Sequence, residues 1–161
     1  MNAKAVVLTE VDRKLLGLLQ EDLPLCADPW GRIGKACGLS TAEVLQKLAD
    51  WRDEGLIRKI GPSINPRALG WFSTLCGTYV PPEKLEQVRD YVGAQDAVTH
   101  CYVRDNAKFN LWFTIIAPSE IEAKAIAEDL RRALGLETVA SFPASQVFKI
   151  KAVFNLNTAV A

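Results

Sequence analysis

The sequence predicts an α+β protein in two parts, a winged helix-turn-helix over residues 1–66 and a ferredoxin-like βαββαβ domain over residues 67–161. Three observations predict it. Capped apolar stripes with a helical period fill the first third. From Trp71 the period switches to two, which marks strands. The later elements then follow the order strand, helix, strand, strand, helix, strand.

Taken in order, Thr9 is placed to cap a first helix with Asp12 as its reciprocal partner, and Val11, Leu15, Leu16, Leu18 and Leu19 supply an apolar stripe that ends before Pro24. Trp30 to Cys37 reads as a short second helix closed by Gly38. Ser40, with Glu43 three residues on, caps a third helix whose buried side is Val44, Leu45, Leu48 and Trp51. The segment GLIRKIGPSINPRALG that follows is expected to form a wing ended by a proline-rich linker.

This arrangement suggests DNA recognition, but the charge does not. The chain carries 19 basic and 19 acidic residues, so no overall positive field draws it to nucleic acid or anionic membrane. The third helix shows Glu43, Asp50, Asp53 and Glu54 against Lys47 and Arg52, a poor match to a phosphate lattice. A scaffold or dimerisation module is favoured over a DNA reader. Basic residues gather instead at Arg58, Lys59 and Arg67, as a solvated loop, as phosphate contacts or as cations for a carboxylate-rich small molecule.

Cys26, Cys37, Cys76 and Cys101 form no CxxC pair and have no zinc-type spacing with the lone histidine, which suits free thiols in a reducing compartment. The start has too short an apolar run for a signal peptide, and no segment approaches a membrane span. A soluble cytoplasmic protein is expected.

In the second part, Trp71 to Val80 reads as a strand and Pro81-Pro82 open a helix to about Val92. Ala97 to Arg104 and Asn110 to Ala117 form a hairpin. Pro118-Ser119 start a helix with Ile121, Ala125, Ile126 and Leu130 on one side, ended by Gly135. A last extended segment is expected to run to Phe154, with a break near Pro143. Both helices then cover one face of a four-stranded sheet, above Cys101, Val103, Leu111, Phe113 and Ile115. His100, Tyr102, Arg104, Asn110 and Trp112 fall on the open face, and alternation makes Lys149 a candidate to reach it. Imidazole, phenol, guanidinium and indole together offer a proton donor near neutral pH, a second donor, a carboxylate clamp and a flat apolar surface. That set suits a large planar polyacid, and an open face with two aromatics is expected to be covered by a partner subunit, a ligand or both.

The whole arrangement resembles the Lrp/AsnC regulator family. Within it, Arg58-Lys59-Ile60-Gly61 with Leu69-Gly70, THCYVRD at 99–105, NLWFT at 110–114 and FPASQVFKI at 142–150 resemble the siroheme decarboxylases of alternative haem and haem d1 biosynthesis. Members usually read His-Asn-Tyr where this chain has His100-Cys101-Tyr102, and paired arginines where it has Arg58-Lys59.

The resemblance implies a carboxy-lyase subunit that converts siroheme to 12,18-didecarboxysiroheme, in a heterodimer with a paralogous subunit or a homodimer. It implies no cofactor beyond the iron tetrapyrrole itself. On this basis His100 is the expected proton donor or axial neighbour of the substrate iron, with Tyr102 assisting and Trp112 packing on the macrocycle. Arg58, Lys59, Arg104, Asn110 and Lys149 are expected substrate contacts. The competing expectations are a ligand-responsive transcription regulator and a non-catalytic tetrapyrrole-binding partner subunit.

Overall fold

The computed structural model describes residues 6–149 and 153–156. The chain divides into two compact units, Met1–Pro62 with Lys149–Ala161, and Ser63–Phe148. Among the described residues no helix is long and apolar enough to cross a membrane.

The first unit is a three-helix helix-turn-helix: α1 (Glu10–Glu21), α2 (Pro29–Cys37) and α3 (Thr41–Asp53). The starts of α1 and α3 are fixed by the residues that the spacing indicates. The Thr9 hydroxyl accepts from the Asp12 N–H at 3.2 Å while the Asp12 carboxylate accepts from the Thr9 N–H at 2.9 Å. Ser40 and Glu43 repeat this box at α3. Those hydrogen bonds from Ser40 hold the Glu43 carboxyl below its ordinary range. Asp28 caps α2 with Pro29 in its first turn, and Gly38 ends it at φ 72°, where a glycine is needed.

Leu15, Leu16, Ile33, Val44, Leu48 and Trp51 form the buried core of this unit. The expected stripes were drawn too wide. Val11, Leu18 and Leu45 are exposed. At about 100° per residue they lie roughly a quarter turn from the centres of the buried arcs of their helices. The inward place near Leu15 and Leu16 is taken instead by Asp12, whose carboxylate meets Lys47 of α3 at 2.8 Å.

The expected wing does not form a strand pair. Residues 57–62 carry no regular structure, and the next element is a single 3₁₀ turn, Pro66–Leu69. Pro62 and Pro66 each remove a backbone donor that a two-stranded ribbon would need.

In the second unit β1 (Phe72–Thr78), α4 (Leu85–Gly93), β2 (Val98–Val103), β3 (Leu111–Ala117), α5 (Glu120–Ala133) and β4 (Ala140–Pro143) follow the predicted order. The sheet runs β2-β3-β1-β4, with every neighbouring pair antiparallel. Cys76, Leu111, Phe113 and Ile115 project from one face into a core closed by Val88 and Val92 of α4 and Ala123, Ala127 and Leu130 of α5. On α5 the buried line differs from expectation: Ile121 and Ala125 are exposed. They lie nearly opposite the i, i+4, i+7 row of Ala123, Ala127 and Leu130, whose small members let the helix sit close to the sheet. Near its C-terminus Arg131 and then Arg132 bind Glu128 and hold that carboxyl down to about 2.

The last strand is much shorter than expected. Its pairing with β1 runs from Ala140 opposite Gly77 to Pro143 opposite Thr74 and stops. Pro143 has no N–H to donate, and the next carbonyl, on Ala144, accepts from the Arg67 guanidinium at 2.7 Å. Phe148 and Lys149 therefore lie beyond the sheet, Ile150 and Lys151 fall outside the described residues, and Phe154 belongs to the first unit, where its backbone N–H donates to Gln20 of α1 at 2.8 Å.

Candidate functional site

The open face of the sheet gathers most of the chemistry. A register irregularity between Val98 and His100 sets it up. Val98 packs with the core, opposite Ile115, yet two residues later His100 stands opposite Thr114, on the solvent side. Without that bulge, strict alternation would place both on one face. Tyr102 follows opposite Trp112 and is exposed. The His100 and Tyr102 rings stack with centroids 6.1 Å apart. His100 Nδ1 lies 3.0 Å from Thr99 Oγ1, which leaves Nε2 as the imidazole nitrogen without a protein partner among the described residues.

Beside them is an aromatic platform. Trp112 meets Phe109 edge to face at 5.6 Å and Phe142 of β4 at 5.8 Å, and Phe109 meets Phe142 at 5.9 Å. The indole N–H donates to the Phe109 carbonyl at 2.9 Å, so the ring is anchored as well as packed. Gly77 lies directly opposite Trp112 on β1. A Cβ there would stand 3.1 Å from the Trp112 ring and 3.2 Å from the Phe109 ring. Two cations border the platform, with the Arg104 guanidinium 5.8 Å from the Trp112 centroid and the Lys108 ammonium 5.5 Å from that of Phe109.

The structure thus brings together His100, Tyr102, Arg104 and Trp112. Asn110 does not join them. Its side-chain oxygen accepts from the Val80 N–H at 2.8 Å and its NH₂ donates to the Val80 carbonyl at 2.7 Å. This clasp fixes the entry to β3 and occupies the amide that was expected to meet substrate. Lys149 is not on a strand either; it lies in the first unit, lining a groove with Glu10, Arg13 and Lys14 of α1. Arg58 and Lys59 are exposed residues of the first unit, in the segment after α3.

Phe109, Phe142, Lys108 and Gly77 were not read from the sequence as site residues. Signals for two of them existed. A glycine inside a strand marks close approach by another group, and alternation along a strand paired at Gly77 sends Phe142 to the open face. Phe109 and Lys108 lie in what reads as a polar turn, where periodicity gives no direction.

Among the described residues no group of His, Cys, Asp and Glu could hold a metal ion. What this face offers is the Trp112 ring, met edge-on by Phe109 and tilted against Phe142, with a free imidazole edge and two cations beside the rings.

Known proteins point the same way. A family model described as "Siroheme decarboxylase NirDL-like HTH domain" matches residues 12–58, and one described as "AsnC-like ligand binding domain" matches residues 68–149. The siroheme decarboxylase alpha subunit of Desulfovibrio desulfuricans is 34% identical over 97% of this chain and 89% of its own length. The chain belongs to the siroheme decarboxylase family. Another relative, the siroheme decarboxylase NirD subunit of Pseudomonas aeruginosa, is 30% identical over 91% of this chain and 96% of its own. A crystal structure of the siroheme decarboxylase NirDL in co-complex with an iron-uroporphyrin III analogue superposes with a TM-score of 0.63 at 26% identity, covering 91% of this chain and 48% of that one. The AsnC family transcriptional regulator from Agrobacterium tumefaciens shares the fold, with a TM-score of 0.73 at 20% identity over 92% of this chain and 97% of that one.

Proposed function

We propose that this protein is a subunit of a siroheme decarboxylase, a carboxy-lyase that removes carbon dioxide from the two acetate side chains of siroheme to give 12,18-didecarboxysiroheme. Its relatives at 30–38% identity carry that activity in their names. The observation in the molecule that carries the proposal is the sheet face itself: an aromatic platform of Trp112, Phe109 and Phe142 beside the free edge of His100.

In each decarboxylation the bond between the acetate methylene and its carboxylate breaks. Carbon dioxide leaves, the bonding electrons enter the tetrapyrrole, and one proton ends on the methylene carbon to make a methyl group. No oxidant or reductant is consumed, and no separate organic cofactor is required because the macrocycle is the electron sink. The protein must therefore hold the ring in register, keep the departing carboxylate poorly solvated and deliver a proton. Trp112 with its two phenylalanine neighbours is the stacking surface, and Arg104 is a rim cation for a carboxylate. His100, backed by Tyr102, delivers the proton through Nε2; the alternative assignment of the same nitrogen to the substrate iron needs it neutral and unprotonated.

The sheet face also exposes Leu75 and Phe142. Such a surface is suited to being covered, and the subunit names of the relatives support an enzyme of more than one subunit. We assign the cover to a paralogous subunit in a heterodimer, with a homodimer as the alternative.

The test is anaerobic siroheme titration followed by measurement of released carbon dioxide, with the paralogous subunit present. His100→Ala is expected to bind siroheme and to lose about 100-fold or more in turnover. Wild-type turnover in that variant would remove His100 from the chemistry. A titration with no absorbance change in the wild type would remove the tetrapyrrole.

A further inference from the structure

Apart from Phe109, each residue of the sheet face with an assigned role comes from a strand or its immediate end. The turn between β2 and β3 adds something different. Asn106 accepts from the backbone N–H groups of both Lys108 and Phe109, at 2.9 and 3.1 Å. The Phe109 carbonyl accepts from the Trp112 indole. Phe109 is therefore held on its N–H side by Asn106 and on its C=O side by the platform, and Lys108 is rooted in the same pinned turn. Its ammonium lies over the Phe109 ring.

The cations of the helices and those of the sheet face are placed differently. On the helices, Arg89 is tied to Glu86 and Asp90, Lys124 to Glu120, and Arg131 and Arg132 to Glu128. Lys108 and Arg104 have no carboxylate partner among the described residues, and each stands instead over a ring of the platform. Phe109 and Trp112 are in edge-to-face contact, so the two cations border adjoining rings. A planar ligand that lies against this pair of rings meets both cations.

We propose that Lys108 is a specificity-determining residue of the site, a rim cation that selects tetrapyrroles by their peripheral carboxylates. This rests on the tetrapyrrole assignment above and adds a second rim cation in the place that Lys149 was expected to fill. An ammonium on a flexible stem is a point charge without the bidentate geometry of a guanidinium. It can therefore meet carboxylates at more than one rotation of the ring, while Arg104 meets a defined one.

The experiment compares two ligands in anaerobic absorbance titrations of the full chain with its partner subunit: iron-uroporphyrin, rich in peripheral carboxylates, and haem b, which retains only propionates. Lys108→Met is expected to weaken iron-uroporphyrin roughly tenfold, the loss of one charge-assisted hydrogen bond. Haem b affinity should change far less, and Lys108→Arg should restore most of the lost binding. Lys84→Met, at an exposed lysine in the 3₁₀ turn before α4, should leave both affinities unchanged. Equal weakening of both ligands by Lys108→Met, no weakening of either, or an equal effect of Lys84→Met would overturn the selection role while the tetrapyrrole site stands. A wild-type protein that binds neither ligand would overturn the site and the role together.

Discussion

Gly77 and Trp112 face each other across β1 and β3, and the absence of one side chain is what lets the other lie down. With 3.1 Å between an added Cβ and the indole, and 3.2 Å to the Phe109 ring, Gly77→Ala requires both rings to give by a few tenths of an ångström. The cost is expected at about 1–3 kcal/mol, shared between stability and binding. Near-UV circular dichroism should report the displaced rings and siroheme affinity should fall. Gly93→Ala is the control, because a Cβ there meets nothing within 4 Å. An unchanged near-UV spectrum in Gly77→Ala would mean that the platform does not depend on this glycine. At the same scale Asn110 shows how a polar side chain with the right strand parity can be spoken for: both ends of its amide are used on Val80.

At the scale of elements, α1 and α3 are joined through a residue that also starts a helix. Asp12 caps α1 and binds Lys47. Burial pushes its carboxyl up, but hydrogen bonds from Lys47 and Thr9 outweigh this and leave it below its ordinary value of 3.8. A folded-state pKa that is lowered favours the ionised form in the fold. Its contribution to stability is therefore complete above that ordinary value and is lost as the pH falls through the depressed one. Asp12→Asn is expected to cost about 1–2 kcal/mol at neutral pH, and thermal unfolding should show the difference from wild type shrinking in strong acid. A gap that persists there would locate the loss in packing rather than charge.

Caps such as Thr9, Ser40 and Gly38 were legible because they depend on neighbours a few residues away in the chain. The faces of α1, α3 and α5 were legible only in part, because which apolar residue is buried depends on the arc that the partner elements occupy. Leu18, Leu45 and Ile121 lost that place. The end of β4 was legible as the break expected near Pro143, but the loss of the strand beyond it was not. Alternation continues past Pro143, but a strand needs a partner backbone, and the pairing with β1 ends at Thr74. His100, Tyr102, Arg104 and Trp112 were found because alternation gives a direction inside a strand. Lys108 and Phe109 were missed because it gives none inside a turn.

For the molecule as a whole, a helix-turn-helix without net positive charge raises the question of DNA. The chain has 19 basic and 19 acidic residues, and one of the two basic residues expected on the exposed side of α3, Lys47, is tied to Asp12. Few free cations remain there to release counterions from a duplex. A gel-shift assay at physiological salt is expected to show no retained duplex; an operator-specific shift that weakens with salt would establish a regulatory role. The sheet sets a second boundary, between a partly buried thiol and an exposed imidazole. Cys101 sits between His100 and Tyr102 in the chain, but strand parity turns its thiol to the helical side, where burial pushes its pKa up, as burial pushes that of fully buried Cys76 to about 11. A thiol adjacent in sequence to His100 thus lies on the opposite face from the imidazole, in a setting that favours its protonated form. The sheet acts as a partition, holding the Cys101 thiol away from whatever the imidazole face meets.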